Sequence, residues 1–147
     1  MHDRYVAPGW LTRNVFNRLV AGLTRLGLSV WGSRVLMVRG RTSNEWRSTP
    51  VNPLSYRGAR YLVSPRGTTQ WVRNLRVARS GELRLGRKVE QIRVVEVSDD
   101  EKPPILRAYL ERWRTEVGTF FQGRGPASSD EELRAIAADH PVFQLID

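Results

Sequence analysis

The chain has no cysteine, which excludes disulfides and thiolate metal sites. Histidine is almost as scarce, with His2 near the start and His140 beside Pro141. Two histidines so placed argue against a metal centre and against a Ser-His-Asp arrangement. Neither GxGxxG nor GxxxxGK(S/T) occurs, so neither common phosphate-loop motif is present. No apolar run reaches the length of about 18 residues that a spanning helix needs. The first residues lack the basic, apolar and small-residue order of a signal peptide. A cytoplasmic domain is the resulting expectation.

Carboxylates are scarce in one part of the chain. Residues 1–98 hold 18 Lys+Arg against 5 Asp+Glu, whereas residues 99–147 hold 6 against 10. Paired-carboxylate acid/base chemistry is therefore poorly supported in the first two thirds. The basic excess behind the chain's formal net charge of +9 therefore lies in that part, and 22 of the 24 cations are arginine. Arginine's planar fork suits phosphate and carboxylate, although a GC-rich genome gives the same bias. An enzyme with so few acids and bases would rely on a cofactor for reactivity and would itself supply binding and orientation.

The 147 residues fit one domain, with 40% hydrophobic content suiting a packed core. Leu11, Val15, Leu19, Leu23 and Leu26 recur at helical spacing, so a basic amphipathic helix is expected over 11–28. It would pad the core, lid a pocket or lie on an anionic membrane, with Arg13, Arg18 and Arg25 outward. The period then shortens. Strands are expected over 34–39, 47–54 and 61–64, with a glycine turn in SYRGAR (55–60). Pro50 and Pro53 confine the second of these to an edge or bulge. QWVRNLRVA (70–78) has helical spacing, and 82–85 and 89–97 form a hairpin across Gly86-Arg87-Lys88. The acidic run 99–101 before Pro103 opens a helix to Phe120. Ser129-Asp130-Glu131-Glu132 is a capping-box pattern, and 141–146 forms an extended tail. This order gives an α+β fold, a small antiparallel barrel of about six strands over 34–97, with an N-terminal helix and C-terminal helices over 102–147.

Two loops carry anion-seeking chemistry. GRTSNEWRSTPVNP (40–53) combines Gly40, Arg41 and Arg47 with the hydroxyls of Ser43, Ser48 and Thr49. SPRGTT (64–69) leads into the Trp71 helix, whose first amides are suited to an anion. A solvated turn is the plainer reading of either loop alone; their recurrence after successive strands favours a ligand.

The chain resembles the deazaflavin-dependent nitroreductase family of actinobacteria, split β-barrel oxidoreductases related to FMN-binding barrels that use coenzyme F420. The resemblance rests on VLMVRGRTSNEWRSTPVNPL (35–54), YLVSPRG (61–67), WVRNL (71–75) and ELRLGRK (82–88). It extends more loosely through 109–121 and HPVF (140–143), covering about three quarters of the chain. It implies that Arg41, Ser43, Arg47 and Thr49, with Pro50 closing the GR(x)5RxTP motif, hold the coenzyme's phosphate and glutamate tail. It places Ser64, Arg66 and Gly67 beside the ring or phosphate, and maps the WxxNL motif to Trp71 and Asn74. For Trp71 and Leu75, core packing is the favoured reading, and Asn74 also suits capping a turn. Thr42 stands where many relatives have lysine and Asn44 where many have glycine. Tyr109, Trp113, Phe120 and Phe121 take the place of the substrate-facing tyrosines in members that reduce nitroimidazoles.

The resemblance implies an F420H2-dependent reductase that passes a hydride to an activated alkene, an enone or a quinone-like ring. Helix 11–28 would suit access to membrane-borne quinones. The rivals are an FMN-binding split barrel, a non-catalytic coenzyme carrier and a nucleic-acid-binding barrel. Aromatics are few in the basic strands, which disfavours the last. A monomer is favoured over a dimer.

Overall fold

A computed structural model describes residues 33–146, apart from the side chains of residues 114–116. The expected helix 11–28, its membrane contact and His2 lie outside the described residues. The strands are β1 (Arg34–Arg39), β2 (Trp46–Val51), β3 (Leu54–Tyr56) and β4 (Ala59–Val63), then β5 (Ser80–Leu85), β6 (Lys88–Glu96) and β7 (Val142–Ile146). Helix α1 (Gln70–Ala78) follows β4, while α2 (Lys102–Val117) and α3 (Asp130–Ile136) lie between β6 and β7. None of the described helices is long and apolar enough to cross a membrane.

All seven strands join one antiparallel sheet in the order β2-β1-β5-β6-β7-β4-β3. The strand count exceeds the expected six because the tail at 142–146 is not a free extension. It pairs with β6 on one side and β4 on the other. Pro50 lies on β2 at one end of this order, where its missing N–H costs no ladder bond. The β3–β4 turn is Arg57-Gly58, both with positive φ (49° and 79°), the twist a two-residue hairpin turn requires. The β5–β6 turn narrows to Gly86-Arg87, Lys88 already belonging to β6.

Side-chain alternation produces two cores on opposite faces of the sheet. Leu36, Val38, Val51, Leu62, Leu83, Ile92, Val94 and Phe143 share the barrel core with Val72 and Leu75 of α1. Nine residues make too short a helix to persist alone, so its docking depends on this burial. Val72 and Leu75 are fully buried, and each contributes about 2 kcal/mol. The other face of β4 and β7 offers Val63 and Val142 to α2 and α3, which supply Ile105, Leu106, Tyr109, Leu110, Trp113, Leu133 and Ile136. The expected helix to Phe120 ends at Val117, and Gly118–Phe120 continue as a 3-10 turn. At α3 the capping box forms as expected: Glu132 N–H donates to Ser129 Oγ at 3.1 Å, and Ser129 N–H to Glu132 Oε1 at 3.0 Å. Lys102 is buried at the start of α2, its Nζ 2.6 Å from Asp99 Oδ1 and donating to Ala137 O at 2.9 Å. That pair of contacts fastens the start of α2 to the end of α3, and it satisfies a buried charge that would otherwise be costly.

Two tests probe the sheet. A Cβ at Gly81 would meet Met37 O at 2.5 Å, and backbone in a central strand pair has no room to yield. Gly81→Ala is expected to cost about 2 kcal/mol and lower Tm by about 4–8 °C. A fall of less than about 1 °C in thermal denaturation would show that β1 and β5 tolerate the separation.

The second test concerns acid. Hydrogen bonds from Arg84 and then Gln91 hold the Glu82 carboxyl below its usual 4.5, and Arg60 acts likewise on Glu90. A carboxylate whose folded pKa is depressed stabilises the fold above its unfolded pKa, and that share is lost as pH falls through the folded value. Glu82→Gln should therefore lower Tm at pH 7 and converge on the wild type below about pH 4. A Tm difference that stays constant from pH 7 to pH 3.5 would contradict the pairing.

Candidate functional site

The loop between β1 and β2 is short and closed on itself. Gly40 N–H donates to Glu45 O at 2.8 Å, and Asn44 N–H donates to Gly40 O at 2.9 Å. Asn44 has φ 59°, a left-handed conformation that asparagine tolerates better than most residues. A Cβ at Gly40 would lie 2.7 Å from Ser43 Oγ, so a larger residue there would require that hydroxyl to move. Ser43 Oγ accepts from Glu45 N–H at 3.2 Å and from Arg47 Nη2 at 3.4 Å.

Arg41 is tied to α1. Its backbone N–H donates to Asn74 Oδ1 at 3.1 Å, and its Nη1 donates to the same oxygen at 2.8 Å and to Gln70 Oε1 at 2.9 Å. Asn74 is only 5% exposed, so its carbonyl is a fixed anchor. Because both partners of that amide atom are donors, it must be the oxygen that faces them. Asn74 thus tethers a loop 33 residues away in sequence.

Strand register assigns the rest of the motif. Arg47 pairs with Val38 and Thr49 with Leu36, so both lie on the face that carries the barrel core. Pro50 pairs with Val35 on the opposite face. Arg47 is exposed, with Glu45 4.0 Å away. At the end of the same hairpin Arg39 stacks over Trp46, its guanidinium carbon 4.2 Å from the ring centroid, while Trp46 remains 40% exposed.

The second loop is built differently. Ser64 is buried, and its Oγ donates to Gly67 O at 2.5 Å, so this hydroxyl shapes the turn. Gly67 takes φ 92°, which favours glycine there. Arg66 is half-buried beside it. Thr69 begins α1 in extended conformation without capping it, and its Oγ1 is sealed from solvent with no hydrogen-bond partner. The loop is tied to the C-terminal segment: Ser64 N–H donates to Pro141 O at 2.9 Å. His140 Nδ1 lies 3.1 Å from Pro65 O, and since a carbonyl only accepts, Nδ1 bears the proton. The His140 ring stacks on Phe121 at 4.1 Å, in the interior, where it holds structure together.

The site residues read from the sequence are therefore only partly brought together. Arg41 and Asn74 meet directly, as do Ser43 and Arg47. Trp71 is half-buried against the barrel core, its ring 6.1 Å from Phe143, in keeping with a packing role. Tyr109 and Trp113, expected at a substrate pocket, are 2% and 3% exposed, with ring centroids 5.1 Å apart. They pack in the core formed by α2, α3 and the sheet face that carries Leu54, Val63 and Val142. Phe120 stays half-buried at the border of that core. Gln70 was missed, although it stands four residues before Asn74 and so shares its helix face. No group of three or more potential metal ligands gathers among the described residues.

A separate open groove of about 660 Å³ crosses β4, β7 and β6, lined by Arg60, Glu90, Gln91, Arg93, Gln144 and Ile146 among others. Arg60 and Glu90 form an ion pair within it, and none of the expected site residues lines it.

The four carboxylates between residues 33 and 98 are each paired with arginine: Glu45 with Arg47, Glu82 with Arg84, Glu90 with Arg60 and Glu96 with Arg76. Fourteen cations occupy the same stretch. Arg41, Arg57 and Arg79 have no carboxylate partner among the described residues. The barrel half thus retains a cationic surplus available to an anion.

No family model matches the chain, and no curated protein matches it. Solved structures do. A protein of unknown function from Agrobacterium tumefaciens superposes with TM-score 0.57 at 15% identity, over 95% of this chain and 54% of that one. This chain thus spans about half the length of that protein. An F420-H2 dependent reductase, FDR-A, gives 0.53 at 16% identity, over 78% of this chain and 94% of that one. A NimC/NimA family protein from Clostridium acetobutylicum gives 0.53 at 14% identity, over 91% and 80%. Together with the seven-stranded antiparallel sheet and its flanking helices, these likenesses establish the fold of the chain as a split β-barrel of α+β class.

Proposed function

We propose that this chain is a reductase that binds the reduced deazaflavin coenzyme F420 and delivers its hydride to an activated alkene, an enone or a quinone-like ring. The observation that carries this reading is the cationic surplus beside the β1–β2 loop, where Arg41 is held on α1 and Arg47 stands exposed. A coenzyme with a phosphodiester and a glutamate tail needs such a rim and needs no catalytic carboxylate. A protein of the same fold is named an F420-H2 dependent reductase, which adds support.

The donor set fits the group. Arg41, Ser43, Arg47 and Thr49 would hold the tail and phosphate. The first amides of α1 would offer further donors beside Arg66 and Gly67. When bound, the reduced deazaflavin supplies the hydride from C5 of its ring. The protein's share would be placement: Arg41 and Arg47 would fix the anionic end, and Trp71 of α1 would stand beside the ring. The accompanying proton comes from solvent or a hydroxyl, so hydride and proton add across the acceptor's double bond.

Fluorescence titration with the oxidised deazaflavin coenzyme, with FMN as comparator, tests the reading. Wild-type protein is expected to bind at micromolar concentration or tighter and to ignore FMN, and Arg47→Ala to weaken binding about tenfold, or about 1.4 kcal/mol. Absence of binding, or a preference for FMN, would overturn it.

A further inference from the structure

Asn74 and Gln70 bind the same nitrogen of Arg41. Arginine Nη1 has two hydrogens, and both are taken, at 2.8 Å by Asn74 Oδ1 and at 2.9 Å by Gln70 Oε1. The backbone N–H of Arg41 is fixed by the same Asn74 oxygen. Nε and Nη2 have no partner among the described residues. A guanidinium presents two bidentate edges, one through Nη1 and Nη2 and one through Nε and Nη2. With Nη1 engaged, only the second edge remains for a ligand.

We infer that Asn74 is a positioning residue that acts through Arg41, orienting its Nε–Nη2 edge to grip one pair of anionic oxygens. The ligand chemistry is a single carboxylate or phosphate group taken side-on. This deepens the reading of the site as an anionic-tail groove and rests on it for the identity of the ligand. It also changes the part assigned to Asn74, which does not touch the ligand with its carbonyl because that oxygen is already shared by two donors. Preorganisation is the physical gain. An exposed arginine loses several rotors when it binds, whereas one already clamped at Nη1 and at its own backbone loses fewer.

The Nε–Hε resonance of Arg41 in isotope-labelled full chain reads the grip directly. Triglutamate and inorganic pyrophosphate serve as probes, one for a tail carboxylate and the other for a phosphodiester. At least one probe is expected to shift the Arg41 signal saturably, and which one responds identifies the source of the oxygens. Asn74→Ala should weaken the responding probe at least about fivefold, with circular dichroism unchanged. Gln70→Ala, an exposed change that leaves the core intact, should weaken it about two- to threefold. Adding Asn74→Ala to Arg41→Ala, with affinity for the responding probe read by titration calorimetry, should cause no further loss.

Three results would overturn the inference: no shift of the Arg41 signal with either probe, Asn74→Ala affinity within about twofold of wild type, or additive losses in the double variant, which would place Asn74 on the ligand itself. Should Asn74→Ala fail to fold, the Gln70→Ala result and the wild-type shift decide the matter. A wild type that ignores the deazaflavin coenzyme but shifts Arg41 with a probe fails the proposed function and keeps the positioning role.

Discussion

The insertion of β7 between β6 and β4 is the contact on which the rest of the structure depends. Neither β6 nor β4 pairs with the other, so without β7 the sheet would separate into a four-stranded part, β2-β1-β5-β6, and the β3–β4 hairpin. A lone two-stranded hairpin is marginal in water. The chain therefore cannot complete its barrel until residues 142–146 are in place. Phe143 of β7 enters the barrel core, while Val142 enters the helical core. One strand thus unites both hydrophobic layers as well as both parts of the sheet.

The same closure reaches the candidate site. The residues just before β7 hold the SPRGTT loop from behind, through Pro141 O to Ser64 and through His140 to Pro65. That loop in turn begins α1, and α1 holds Arg41. A continuous path of hydrogen bonds and packing therefore links the C-terminal strand to the β1–β2 loop. Sequence distance is large at every step: 75 residues separate His140 from Pro65, and 33 separate Asn74 from Arg41. The site is local in its donors and global in its support.

That division explains what could be read in advance. The α1 span, the capping box at Ser129 and the hairpin near Gly86 all depend on neighbours in sequence, and all were legible. The tail at 142–146 read as extended because extension is a local property, but its central place is set by partners in β4 and β6. Tyr109 and Trp113 showed an apolar helix face without showing what covers it. Here α3 and a sheet face cover it, and the rings are core. Asn74 stood in a recognisable motif, yet its partner is fixed only when α1 docks beside β1. Cation surplus was visible as composition, whereas the pairing of all four carboxylates needed coordinates.

On the proposed function, the two arginines of the loop would divide a task that neither would perform well alone. Arg47 is exposed on 60% of its side chain and held only by a 3.4 Å contact to Ser43 and a distant Glu45. Such a cation attracts an anion over a Debye length of about 8 Å but gives it little orientation. Arg41 is the opposite case, clamped at three points by α1 and left with one open edge. A fixed fork discriminates by geometry, because a misplaced oxygen pair forfeits one of two parallel hydrogen bonds. On the proposed function, an attracting residue and an aligning residue set six positions apart on either side of a tight turn would bring a flexible anionic chain in and then fix its register. The reacting end of the bound coenzyme would then be placed by an anchor far from the chemistry, so that a barrel half with four carboxylates, all paired, would orient a reaction without supplying its reactive group.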